Sequence, residues 1–143
     1  MSEKNTYNLF KKGIEGKAVR IDRIENVRVD GMPDVNVCVE GIESWVEIKS
    51  PKEPVRINTP LFGSNHKLSQ AQLNWFMRQA QAGGKAFILI RSDKRMLLVK
   101  GVYADEINSL TITQIMILCS FSAPVPTPAE HWQQLKRILK NGS

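Results

Sequence analysis

Two short apolar alternations lying close together constrain this chain more than any other feature. Val35, Val37 and Val39 alternate with Asn36 and Cys38, and Val46 and Ile48 alternate with Trp45, Glu47 and Lys49. Successive side chains on a strand point to opposite faces, so each segment reads as a strand with one apolar face. Gly41-Ile42-Glu43-Ser44 between them suits a hairpin connection, which predicts antiparallel neighbours. On the second strand Glu47 and Lys49, two residues apart, must then project together, away from Val46 and Ile48.

The remaining elements build around that pair. Residues 7 to 16 have a rough helical period, weakened by Gly13 and ended by Gly16. Ala18 to Val29 is strand-like, and Asp30-Gly31 marks a turn before Met32-Pro33-Asp34. Pro51 to Lys67, with its prolines, basic residues and His66, reads as a long exposed loop. Leu68 to Ala82 returns to helical spacing and stops at Gly83-Gly84, the chemistry of a left-handed C-cap. Lys85 to Arg91 is almost continuously apolar, as expected of a central strand covered on both faces.

A turn at Ser92 to Arg95 leads into Met96 to Lys100, followed by a short helix over Ala104 to Leu110 and an apolar element of undefined type over Ile112 to Phe121. Thr127-Pro128-Ala129-Glu130 has the form of a capping box, opening a terminal helix through Trp132, Leu135, Ile138 and Leu139. The order of elements predicts an α/β fold, a mixed central sheet flanked by helices. At 143 residues and 42% hydrophobic the chain can bury one ordinary core, so a single domain over 1–143 is expected.

Net charge is +6 and the pI about 9.5, with basic residues spread from Lys11 to Lys140, which favours a polyanionic partner without proving one. Cys38 and Cys119 stand alone, with no CxxC or paired histidine, so they read as buried free thiols rather than a zinc site or a disulfide framework. The N-terminus lacks the apolar stretch of a signal peptide and no run approaches membrane-spanning length. A reducing, cytoplasmic setting is the expectation, with no membrane partner.

Chemistry concentrates at the hairpin. Asp34 opens the first strand, where pairing would bring its carboxylate beside Glu47. Two carboxylates on one site suit Mg2+, which takes a few carboxylate oxygens and completes its shell with water. Lys49 on the same face could orient a water or stabilise charge developing on a phosphate. An isolated Glu-x-Lys is ordinarily a pair of solvated charges; here the Gly-x-Pro-Asp entry, the hairpin and the helix carrying Gln72 and Trp75 favour a shared site.

The ordered set Gly31-Met32-Pro33-Asp34, Glu47-Ile48-Lys49, Gln72-Leu73-Asn74-Trp75 and Gly83-Gly84 resembles the PD-(D/E)xK nuclease superfamily, with restriction-endonuclease-like fold, and within it stand-alone VRR-NUC domains and small phage nucleases. The resemblance covers about Arg23 to Arg91 and leaves the C-terminal third unmatched. It implies that Asp34 and Glu47 bind Mg2+ or Mn2+, that the backbone carbonyl of Ile48 is a further ligand, that Lys49 assists the water and that Gln72 lies near the site. Members often add a glutamate from the first helix; Glu15 stands there, but Glu25, just before the Gly-x-Pro-Asp entry, is preferred here.

Arg20, Arg23, Lys52, Arg56 and Lys67 flank the site in sequence and are candidate phosphate contacts, as is His66. Trp75 reads as core packing rather than a base-stacking platform. The resemblance implies a metal-dependent endonuclease of branched DNA, a Holliday-junction resolvase in preference to a nickase, exonuclease or flap nuclease, working in a bacterial or phage-infected cell. Symmetric cutting would require a homodimer, with Ile112 to Phe121 as its contact. The alternatives are a DNA-binding or assembly protein on a nuclease fold that does not cut, and a phosphate- or RNA-binding module, for which neither a glycine-rich phosphate loop nor an aromatic RNA-binding strand motif is present.

Overall fold

The computed structural model describes residues 2–24 and 29–142. Its elements are α1 (Glu3–Ile14), β1 (Val19–Arg23), β2 (Val35–Val39), β3 (Ile42–Lys49), α2 (Gln70–Gln81), β4 (Ala86–Arg91), β5 (Arg95–Lys100), a 3-10 turn (Gly101–Tyr103), α3 (Ala104–Ile107), α4 (Ile112–Leu118), β6 (Phe121–Pro124) and α5 (Ala129–Asn141). The strands lie in sequence order in one six-stranded sheet. All neighbours are antiparallel except β3 and β4, which run parallel because α2 carries the chain back between them. This is the mixed sheet expected, with β3 and β4 at its centre.

Period-two burial sends alternate side chains into two separate cores. On one face Val35, Val37, Val46 and Ile48 meet Phe10 and Ile14 of α1 and Leu135 and Leu139 of α5. On the other, Ile88, Ile90, Leu97 and Val99 meet Phe76 of α2, Ile107 of α3 and Ile115 of α4. β4 supplies both cores, which accounts for its nearly unbroken apolar sequence. α1 runs through Gly13 to Ile14. A Cβ there would lie 2.3 Å from the Trp132 ring, so the missing side chain is what lets α5 approach α1.

Several local expectations are corrected. α1 begins at Glu3 rather than Tyr7, because the Ser2 side chain accepts from the Asn5 N–H and caps it. The hairpin turns at Glu40-Gly41, both at positive φ, so Ile42 to Ser44 belong to β3 and lengthen it to eight residues. The capping box at Thr127 does not form: Thr127 Oγ1 donates instead to the Pro124 carbonyl at 2.8 Å, and α5 starts at Ala129 with Pro128 as its N-cap. The apolar stretch from Ile112 divides into α4 and the edge strand β6. Cys38 and Cys119 are free but only half-buried.

The end of α2 is as expected. Gly83 is left-handed, its N–H donating to the Ala80 carbonyl and that of Gly84 to the Gln79 carbonyl, a Schellman ending. At its start, Ser69 and Gln72 form a reciprocal capping box that the sequence reading did not pick out. No helix among the described residues is long and apolar enough to cross a membrane.

Candidate metal and nucleic-acid site

The β2–β3 register pairs Val35 with Val46, so Asp34, one residue before β2, falls opposite Glu47. With Val46 and Ile48 committed to the α1–α5 core, Glu47 and Lys49 emerge beneath α2. Both are buried, their side chains 4% and 9% exposed, and Lys49 Nζ stands 3.8 Å from Glu47 Oε2. That same oxygen accepts from Gln72 Nε2 at 3.2 Å. Gln72 is oriented by the helix cap: its own Oε1 accepts from the Ser69 N–H at 2.8 Å, so its amide nitrogen must face Glu47.

Glu47 Oε1 is buried and receives no hydrogen bond. The Glu47 carboxyl is pushed up to about 8, first by burial and then by the facing Asp34, with Lys49 opposing. Glu3, in the first turn of α1, adds to the repulsion. An under-satisfied buried carboxylate facing a second carboxylate is a site short of positive charge, and a hard divalent cation fits it. Asp34, Glu47 and waters would make the shell that Mg2+ prefers, with the Ile48 carbonyl available beyond the last β2–β3 pair. Among the described residues there is no cluster of three or more acidic, histidine or cysteine side chains.

Gly31 sets the Asp34 approach. Its φ is +81°, and a Cβ would lie 2.1 Å from the Ala71 carbonyl oxygen in the first turn of α2. The turn therefore rests directly on the helix that supplies Gln72. Gly31→Ala is expected to destabilise the protein by about 2–4 kcal/mol, from the left-handed conformation and the backbone clash together. It should also weaken Mg2+ binding measured on protein that remains folded. Urea midpoints and Mg2+ titrations equal to those of the parent would disprove this packing.

The other candidates scatter. Glu25 lies outside the described residues. Glu15 is the exposed C-cap of α1, about 18 Å of helix from Glu3. Glu3, whose charge acts on Glu47, lies ahead of the helical period expected from Tyr7. Its signal was present as Ser2 followed by Glu3, an N-cap with an acidic first turn. Arg20 is engaged by Asp22, Asn36 and Glu43 towards the far end of the sheet. Arg23 is exposed, with its guanidinium 5.8 Å from the centre of the Tyr7 ring. Lys52, Arg56 and Lys67 are exposed on the loop between β3 and α2, and His66 on the same loop is partly buried. Trp75 packs edge-on against Trp45, ring centres 6.0 Å apart, which agrees with a packing role.

No family model matches the sequence, and no curated protein matches it. Among solved structures, Hjc of the archaeal hyperthermophile Archaeoglobus fulgidus, a Holliday junction resolvase, superposes with a TM-score of 0.55 at 14% identity, over 92% of this chain and 96% of that one. The match spans the C-terminal third that motif reading left unassigned. The chain has the fold of that resolvase, a mixed six-stranded sheet between helices.

Proposed function

We propose that this chain is a single-domain, metal-dependent endonuclease of branched DNA, acting as a homodimer that resolves four-way junctions. The observation that carries the reading is the buried Glu47 carboxylate facing the half-buried Asp34, with Lys49 and Gln72 on the same oxygen, built on a fold shared with a resolvase. The motif order alone supports the nearer likeness to stand-alone VRR-NUC nucleases.

In this reading Asp34, Glu47 and the Ile48 carbonyl hold Mg2+, or Mn2+ in its place. A bound divalent cation supplies charge neutralisation at the phosphate and acidifies a water. Gln72 fixes the rotamer of Glu47, so that its free oxygen stays aimed at the site. Lys49, held 3.8 Å from Glu47, is placed to stabilise negative charge on the phosphate oxygens as it develops. Glu3 is the described residue best placed to add a carboxylate from α1. Lys52, Arg56, Lys67 and Arg23 hold the flanking phosphates, so binding should weaken as salt rises. On α4, Met116 and Ile117 are exposed while Ile112 and Ile115 are buried, which leaves half of the proposed dimer element available.

The test is cleavage of labelled four-way junction, flap, single-stranded and linear duplex DNA with Mg2+, Mn2+ or EDTA, with Asp34→Asn as control. Paired symmetric nicks at the junction, absent in EDTA and in Asp34→Asn, are expected. Metal-dependent cutting confined to ends or to unbranched DNA would replace the resolvase with an exonuclease or nickase at the same site. Binding without cutting would assign the chain to the non-catalytic class.

A further inference from the structure

The loop between β3 and α2 begins one residue after Lys49, and its segment 53–62 is clamped at both ends. At its start the buried Glu53 carboxylate receives Arg95 Nε and Nη2 at 3.0 and 3.1 Å and the Ser92 hydroxyl, and the Glu53 N–H donates to Asp93 Oδ1. At its end Leu61 and Phe62 are buried, the Leu61 N–H donates to the Leu110 carbonyl at 3.0 Å, and Pro60 bridges to Thr111. Between these clamps a turn closed by the Thr59 N–H on the Arg56 carbonyl displays Val55 and Ile57, 104% and 64% exposed. Both are aliphatic, two residues apart, with exposed Arg56 between them and exposed Lys52 nearby.

Scattered exposed aliphatics need no explanation. This pair differs because it stands at the apex of a segment fixed at both bases, among cations and within a short run of chain from Lys49. Val55 is six residues from Lys49, so at most about 21 Å of chain separates them, roughly six base steps. Burying these side chains would take apolar surface out of water, a gain available only from an apolar partner. Base faces at an unpaired or distorted step are apolar and sit within a polyanion. Aliphatic wedges between base steps, with basic residues on the adjoining phosphates, are a recurrent way to hold such DNA open.

We infer that the 54–59 apex is a wedge that inserts Val55 and Ile57 between bases at the branch point while Lys52 and Arg56 hold the phosphates on either side. The inference rests on the branched-DNA reading above and adds the means by which a branch is distinguished from duplex. Insertion unstacks bases, so its energetic demand falls where the bases are already unstacked.

The experiment uses the full chain with Val55→Ser and Ile57→Ser combined, both solvent-facing and remote from the metal ligands. Cleavage is compared on a fully paired junction and on the same junction with two mismatches at the crossover. A 2-aminopurine at the branch reports unstacking in EDTA. The double variant should cut the paired junction about tenfold more slowly, cut the mismatched one within about threefold of the parent, and lose the fluorescence rise that the parent gives. Equal loss on both substrates, or no loss on either, would overturn the wedge while leaving a metal-dependent nuclease in place. Altered sedimentation of the DNA-free variant with the fluorescence rise intact would overturn it too, by assigning the apex to a protein contact. A parent that neither binds nor cuts any DNA would overturn both the wedge and the function it rests on.

Discussion

Glu47→Gln is expected to abolish metal-dependent cleavage, by about a thousandfold or more, and at pH 8 to make the metal-free protein more stable rather than less. Loss of activity follows from removing one of two carboxylates available to hold the cation, where charge stabilisation is worth several kcal/mol and each 1.4 kcal/mol is tenfold in rate. The gain in stability follows from the geometry around Glu47. Glu47 is buried, one of its oxygens has no donor, and Asp34 faces it. A glutamine of the same shape can still accept from Gln72 Nε2 with its carbonyl, while its amide nitrogen faces Asp34 and can donate. The repulsion is replaced by a hydrogen bond. Single-turnover cleavage and thermal melts of the same preparation check both halves. Parental turnover by a folded Glu47→Gln protein would remove Glu47 from the site. A lowered melting temperature at pH 8 would refute the account of its burial.

How much of this was legible in the sequence depended on whether a residue's neighbours were local. The Glu47–Lys49 relation follows from strand periodicity alone, and Asp34 opposite Glu47 follows once the two strands pair. Gln72 needed the resemblance, since a helix amide is ordinarily on the surface; only the folded Ser69 cap shows why this one is turned inward. Glu3 was lost to a helix boundary set four residues late, an error of local capping. Gly13 and Gly31 could not have been understood locally, because what excludes a side chain at each is distant in sequence: Trp132 of α5 and the backbone of Ala71. The same holds for Arg20. Its charge resembles that of Lys52 or Arg56 in the sequence, yet cross-strand partners on β2 and β3 occupy it. Thr127 shows the reverse case, a well-formed local motif displaced by a competing bond to Pro124.

The metal-free protein should lose stability as pH rises from about 5 to 8, and Mg2+ should restore more of it the higher the pH. Glu47 has an ordinary value of 4.5 and is pushed up to about 8 in the fold, by burial first and by Asp34 second. Between those values the folded state holds a proton that the unfolded state has released. Unfolding then releases a proton, so stability falls with rising pH, by at most about 1.4 kcal/mol per unit. The contribution is complete below the ordinary value and is lost as pH passes the folded one. A cation needs the ionised carboxylate, so it must displace that proton. Near pH 7, Mg2+ binding should therefore release close to one proton, a number that shrinks above pH 9. Calorimetric titrations in two buffers of different ionisation enthalpy measure it, and melts from pH 5 to 9 with EDTA or Mg2+ measure the stability. In Glu47→Gln the pH slope should flatten and the proton release vanish. A flat slope in the parent would mean that Glu47 is already ionised in the empty site, with Lys49 sufficient to neutralise it. The two carboxylates would then form a satisfied ion cluster with no shortage of positive charge for a metal to fill.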